Sequence, residues 1–169
     1  MGSRMRTTKA KTAVMVTSRT AIITVGNELM GDDGIGPAVF KALELTGLPT
    51  GVSLIDGGTG GLGVLHLMSD YDRVIIVDCC DFGGKAGNVM VFRPEDVHTK
   101  RGQAKFSLHS LDLLELIEFG KQLGKMPKDL VMVGVQPKKV GMGEGLSAPV
   151  KKAVSSTVKA VLCVLDMPR

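Results

Sequence analysis

Short apolar runs alternate with amphipathic stretches along the whole chain. Residues 20–26 (TAIITVG), 51–56 (GVSLID), 73–78 (RVIIVD), 88–92 (NVMVF) and 129–135 (DLVMVGV) are brief, apolar and bounded by glycine or polar turns, the pattern of β-strands. The run at 74–77 sets four β-branched apolar residues in succession, which suits a central strand covered on both faces. Between the strands, Ile35, Val39 and Leu43 recur at helical spacing, predicting a helix over 35–46 with Pro37 in its first turn and Gly47 and Pro49 beyond its end. A second helix is expected over 61–69. A third, over 110–123, should turn Leu111, Leu114, Ile117 and Leu123 to one side and Glu115, Glu118 and Lys121 away from it. The last, over 147–166, opens with Ser147 as N-cap and Pro149 in the first turn. The polar stretch 99–107 reads as a loop.

Alternating strands and helices predict the α/β class: a three-layer α/β/α sandwich around a central, mostly parallel sheet of about five strands. At 169 residues and 44% hydrophobic content, one core accounts for the chain, so a single domain is expected over 20–169 behind a flexible basic leader at 1–19. The leader carries Arg4, Arg6, Lys9, Lys11 and Arg19 and no acid, and without these five the formal charge of +4 becomes −1. The body therefore lacks the basic excess that nucleic-acid binding requires. Arg19 interrupts the apolar character that a secretory signal needs, and no window reaches the roughly 18–20 apolar residues of a membrane span. Cys79, Cys80 and Cys163 do not make a disulfide framework, so a reducing, cytoplasmic setting is expected.

In such a fold, chemistry gathers where strands end and loops cross to helices. Three polar clusters fall there: Gly26 to Gly36 (GNELMGDDGIG), Asp56 to Gly61 (DGGTGG), and Asp78-Cys79-Cys80-Asp81. Neither G-x-G-x-x-G nor G-x-x-x-x-G-K-[ST] is present, and two aspartates stand where a phosphate would approach. Carboxylates at strand ends suit a divalent cation, joined by an imidazole from His66, His98 or His109. His66 lies in an apolar helical stretch, and His98 follows Pro94-Glu95-Asp96-Val97 as a surface turn residue. His109 stands at a helix entrance, where a site ligand and a capping or exposed histidine are both open readings. Asp32 and Asp33 precede a helix, where one of them can serve as a cap or a dipole partner; two would be more than capping needs. Acidic neighbours disfavour a thiolate at Cys79 or Cys80, and no G-x-S-x-G elbow exists.

Together, VGNELMGDDGIGP at 25–37, IDGGT at 55–59, VIIVD at 74–78, His109 after a loop and LVMVGVQP at 130–137 resemble the hydrogenase maturation endopeptidases, in order, over roughly residues 21–165. The GDDG-x-GP and GVQP forms resemble the branch that processes the hydrogenase of formate hydrogenlyase. The resemblance implies an endopeptidase that removes the C-terminal extension of a [NiFe]-hydrogenase large-subunit precursor after nickel insertion. It places the metal-holding and catalytic roles on Asp33, Asp78 and His109, with nickel brought by the substrate and the site otherwise empty or holding another divalent ion. It puts Asp56, Gly57, Gly58 and Thr59 on the wall of the substrate cleft, with Glu28 and Asp32 as second choices for the site. The implied partner is the large-subunit precursor, with no nucleic acid and no membrane span. Competing readings are a metal-independent hydrolase or transferase on the same architecture, and a nickel-binding or docking module that cuts nothing.

Overall fold

The computed structural model describes residues 19–98 and 108–168; within these, the side chains of residues 97, 98, 108–112 and 114 are not described. The leader, apart from Arg19, and the loop expected at 99–107 thus lie outside the described residues.

Among the described residues five strands form one sheet: β1 (Thr20–Thr24), β2 (Val52–Asp56), β3 (Arg73–Cys79), β4 (Val89–Phe92) and β5 (Asp129–Val135), in the order β2-β1-β3-β5-β4. All neighbours run parallel except β4, which pairs antiparallel with β5 at the edge. β3 sits in the middle and is buried along its whole length, as its β-branched run predicts. Alternation along the strands splits the core in two. Ala21, Ile23, Val74 and Ile76 face α2 (Leu62–Ser69) and α4 (Leu108–Gln122), while Ile22, Ile75 and Val77 face α1 (Ile35–Thr46) and α5 (Ala148–Asp166). The expected three layers are therefore present.

Two expectations are corrected. Pro94–His98 closes a short helix, α3, where a surface turn was expected; the proline suits a first helical turn, and Arg93 N–H donates to Asp96 Oδ2 at 2.8 Å. Among the described side chains of α4 the buried stripe is Leu113, Leu116, Ile117 and Gly120, spaced i, i+3, i+4, i+7; Ile117 is inward as expected, Leu111 and Leu114 are outside the described side chains, and Leu123 lies past the helix end and is half exposed.

At the amino end of the sheet, a buried cation ties the layers together. Arg73 pairs through Nε with Asp129 Oδ2 at 2.9 Å, and its other nitrogens donate to the carbonyls of Val164 (2.6 Å), Met167 (3.2 Å) and Leu165 (3.4 Å) at the C-terminus of α5. The positive charge meets orphan carbonyls at the negative end of that helix.

The carboxyl end is built differently. The chain moves from β1 outward to β2, then crosses back to β3 on the other side of β1, so the loops after β1 and β3 diverge and leave a crevice between them. Two close approaches set the backbone there. A Cβ on Gly26, whose φ is 150°, would stand 2.0 Å from the Asp33 carbonyl oxygen, and one on Gly36 would stand 2.0 Å from that of Val25. Only glycine lets the loop fold back and α1 start this near the end of β1.

Candidate functional site

Asp33 and Asp78 stand on either side of this crevice. Asp33 sits in a 3-10 turn (Asp32–Gly34) after β1; Asp78 is the next-to-last residue of β3, one step beyond the Thr24–Val77 pair. Both are buried and both line a cleft of about 430 Å³, together with Val25, Gly26, Thr59, Gly60, Gly61 and Leu113. Each carboxylate is held at one oxygen by backbone. Asn27 N–H donates to Asp33 Oδ2 at 2.8 Å, and Cys79 N–H donates to Asp78 Oδ1 at 2.7 Å.

Burial raises the Asp78 carboxyl; the Cys79 N–H opposes the rise and the nearby Asp33 charge adds to it, and the group is pushed up to about 7. Two buried carboxylates repelling each other across one cleft are a donor set that a divalent cation fits, since its charge relieves both. Burial, followed by the charges of Asp78 and Asp33, pushes the Cys79 thiol well above its ordinary range, so it stays neutral and is no nucleophile.

The histidines separate. His66 is exposed on α2, away from the core side of that helix. His98 ends α3 and His109 is the second residue of α4, and neither side chain is among those described. Leu113, one helical turn after position 109, lines the cleft. Among the described residues no cluster of three or more His, Cys, Asp or Glu forms a metal site, so the two aspartates stand there as a pair.

The Asp56–Thr59 segment divides across two hollows. Thr59 lines the cleft with the two carboxylates, while Asp56 and Gly58 line an adjoining groove of about 580 Å³. Gly58 N–H donates to Asp56 Oδ1 at 2.8 Å and Gly26 N–H donates to the Gly58 carbonyl at 2.9 Å, pinning this loop to the end of β1. Gly57 packs inward: a Cβ there would stand 3.0 Å from both Ile23 Cγ2 and the Thr24 carbonyl oxygen.

The structure separates the two adjacent acids of the 3-10 turn. Asp32 is 1% exposed and accepts four hydrogen bonds: from Lys138 N–H (2.8 Å), Lys139 N–H (3.0 Å) and Ser147 Oγ (2.9 Å) at Oδ2, and from Ser147 N–H (2.6 Å) at Oδ1. Burial acts to raise its pKa, but these four donors outweigh it and hold the carboxyl below the usual range. Asp32 is thus a clasp at the N-terminus of α5, more than a hundred residues on, and does not cap α1, whose N-cap is Gly34 without a side-chain bond. Glu28 lines the adjoining groove and is bonded to Lys41 at 2.6 Å.

Sequence reading missed a second positioning residue. Gln136, buried just past β5, accepts the N–H groups of Phe82 (2.9 Å) and Gly84 (3.0 Å) at Oε1 and donates to Asp81 Oδ1 at 2.9 Å. It fixes the loop that follows Asp78. Its signals were a polar residue directly after an apolar run and its place in the GVQP form at 134–137, which was read only as a mark of the family branch.

A family model for hydrogenase maturation proteases matches residues 37–164. The hydrogenase 2 maturation protease of Escherichia coli is 34% identical over 87% of this chain and 90% of its own length. The hydrogenase expression/formation protein HupD of Bradyrhizobium diazoefficiens is 32% identical over 88% of this chain and 78% of its own. Among solved structures, the E. coli hydrogenase maturating endopeptidase HybD superposes with a TM-score of 0.73 at 33% identity, covering 87% of this chain and 91% of that one. None of these three singles out the branch expected from the GDDG-x-GP and GVQP forms.

Proposed function

Because the chain belongs to the hydrogenase maturation protease family, we propose that it is the endopeptidase that removes the C-terminal extension of a [NiFe]-hydrogenase large-subunit precursor once nickel is in place. The observation that supports this most is the pair of buried carboxylates, Asp33 and Asp78, facing one cleft from the two strands that flank the topological crossover. They would hold the substrate's nickel together with His109, whose position lies one helical turn before the cleft-lining Leu113. The bound ion supplies Lewis acidity toward a peptide carbonyl.

The chain's own residues prepare for that. The Asn27 and Cys79 N–H groups fix Asp33 Oδ2 and Asp78 Oδ1, so that Asp33 Oδ1 and Asp78 Oδ2 would be the atoms that meet the ligand. Thr59 and the flanking glycines leave the cleft wall low enough for a polypeptide backbone to lie against it. A site assembled fully only when the substrate brings the metal makes cleavage conditional on metal insertion, which gives the reaction its value as a checkpoint. We assign the substrate to the formate hydrogenlyase hydrogenase or a relative of it, and the setting to the cytoplasm. Among the described residues no helix is long and apolar enough to cross a membrane.

The test is incubation of nickel-loaded precursor with the wild-type protein and with Asp33→Asn and Asp78→Asn. The amides keep shape and remove charge. Shortening of the precursor by the wild-type protein alone is the expected result; cleavage by either variant at the wild-type rate would remove the two-carboxylate site from the mechanism.

A further inference from the structure

The cleft does not stop at its carboxylates. Gly26 borders both the cleft and the 580 Å³ groove beside it, and Glu28 and Leu29 border both that groove and a further pocket of about 370 Å³, which Glu144 and Leu146 also line. The three hollows adjoin at these residues and together make a trough along the loop after β1.

Its floor is fixed. Leu29 N–H donates to Asn27 Oδ1 at 3.0 Å, and Asn27 N–H is in turn held by Asp33. The segment is bonded across to the loop before α5: Gly31 N–H to the Gly143 carbonyl (2.8 Å), Gly143 N–H to that of Leu29 (3.1 Å) and Gly141 N–H to that of Met30 (3.2 Å). On this tied backbone Leu29 is 61% exposed, and Met142, 91% exposed, lines a neighbouring hollow of about 260 Å³ with Glu144 and Leu146. Large apolar side chains held in water on ordered backbone beside a cleft mark a contact surface, since little further ordering is needed when a partner arrives. The surround carries both signs, with Lys139 and Glu144 lining one hollow. Lys41 is already bonded to Glu28, and Glu144 has no ion-pair partner among the described residues.

We propose that this trough is the docking surface for an extended segment of the protein substrate that leads away from the cleaved bond, seating apolar side chains against Leu29, Leu146 and Met142 and a Lys or Arg beside Glu144. This assignment rests on the peptidase reading above. The unpartnered Glu144 carboxylate favours a cationic neighbour to the apolar anchor, and the trough's continuity with the cleft favours the same chain that is cut.

The experiment is steady-state cleavage of nickel-loaded precursor by the wild-type protein, by Leu29→Ser/Met142→Ser and by Glu144→Lys, with the sedimentation of each measured in parallel. The double variant should raise KM about tenfold or more, as loss of a buried apolar anchor does, with kcat and the melting temperature little changed. Glu144→Lys should raise KM more at low salt than at high salt. Cleavage by the wild-type protein with unchanged KM in both variants overturns the docking surface alone. Unchanged KM together with loss of a wild-type dimer in the double variant reassigns the trough to self-association and overturns it equally. Failure of the wild-type protein to cleave overturns the peptidase reading and, with it, this one.

Discussion

Replacing Asp32 and replacing Asp33 should have opposite consequences although the residues are adjacent. In Asp32→Ala, three backbone N–H groups and one hydroxyl lose a charged acceptor in a place that is 1% exposed. A buried hydrogen-bonding group left unpaired costs about 1–3 kcal/mol, and the exposed flanks of Lys138 and Lys139 let water recover part of it, so the loss should be about 3–5 kcal/mol. For a chain of this size that lowers the melting temperature by roughly 6–20 °C. In Asp32→Asn the carbonyl can keep the three contacts at Oδ2, but the amide NH₂ then points at the Ser147 N–H, donor against donor, and about 2–3 kcal/mol is lost. Asp33→Asn, by contrast, keeps its one bond from Asn27 N–H and loses a repulsive neighbour of Asp78, so its melting temperature should match the wild type. Acid titration adds an independent reading. The folded-state pKa of Asp32 lies below its ordinary value, so its contribution is complete above that ordinary value and fades as pH falls through the folded one. Asp32→Asn should flatten this part of the stability–pH curve. Thermal melts by circular dichroism across pH decide the matter, and equal melting of the two asparagine variants would refute the division between clasp and ligand.

Four further outcomes follow from the same geometry. Asp78→Asn should abolish processing without lowering stability, because it removes a buried carboxyl already pushed up to about 7; a large fall in the urea midpoint would contradict this. His109→Ala should abolish processing while His98→Ala leaves it intact, as a precursor-cleavage assay would report, and the reverse pattern would move the third ligand to His98. Arg73→Met should cost about 1–3 kcal/mol, since it leaves the Val164, Leu165 and Met167 carbonyls without their donor while Asp129 keeps Arg93 at 2.6 Å; the urea midpoint should fall while processing at low temperature persists. Gly26→Ala should abolish processing, because its Cβ would collide with the Asp33 carbonyl oxygen, and a wild-type rate would show that the loop can shift without losing the site.

The strands were legible in the sequence because each is a short apolar run with a glycine or polar stop, and burial on both faces of the central sheet demands that composition. Asp78 was legible as an acid closing an apolar strand, and one of Asp32 and Asp33 as an acid surplus to capping, but the choice of Asp33 came from the family resemblance alone. Asp32 was half legible. Its surplus beside Asp33 marked one of the pair as something other than a cap, but its partners at 138–147 lie over a hundred residues away, and no local periodicity encodes such a contact. On α4 Ile117 was read correctly and Leu123 was not, because leucines occur on several faces of this helix and packing against the sheet, rather than spacing alone, also selects Leu113 and Leu116. Arg73 was read only as the start of a strand, since its role depends on where α5 ends.

The most direct test of the central claim is intact-mass measurement of the large-subunit precursor after incubation with this protein, once metal-free and once nickel-loaded. Loss of a single C-terminal peptide from the loaded precursor alone is the expected result. Equal cleavage in both states would contradict the checkpoint. No cleavage of a demonstrably loaded precursor would contradict the peptidase itself and leave the two carboxylates as a docking or nickel-holding surface.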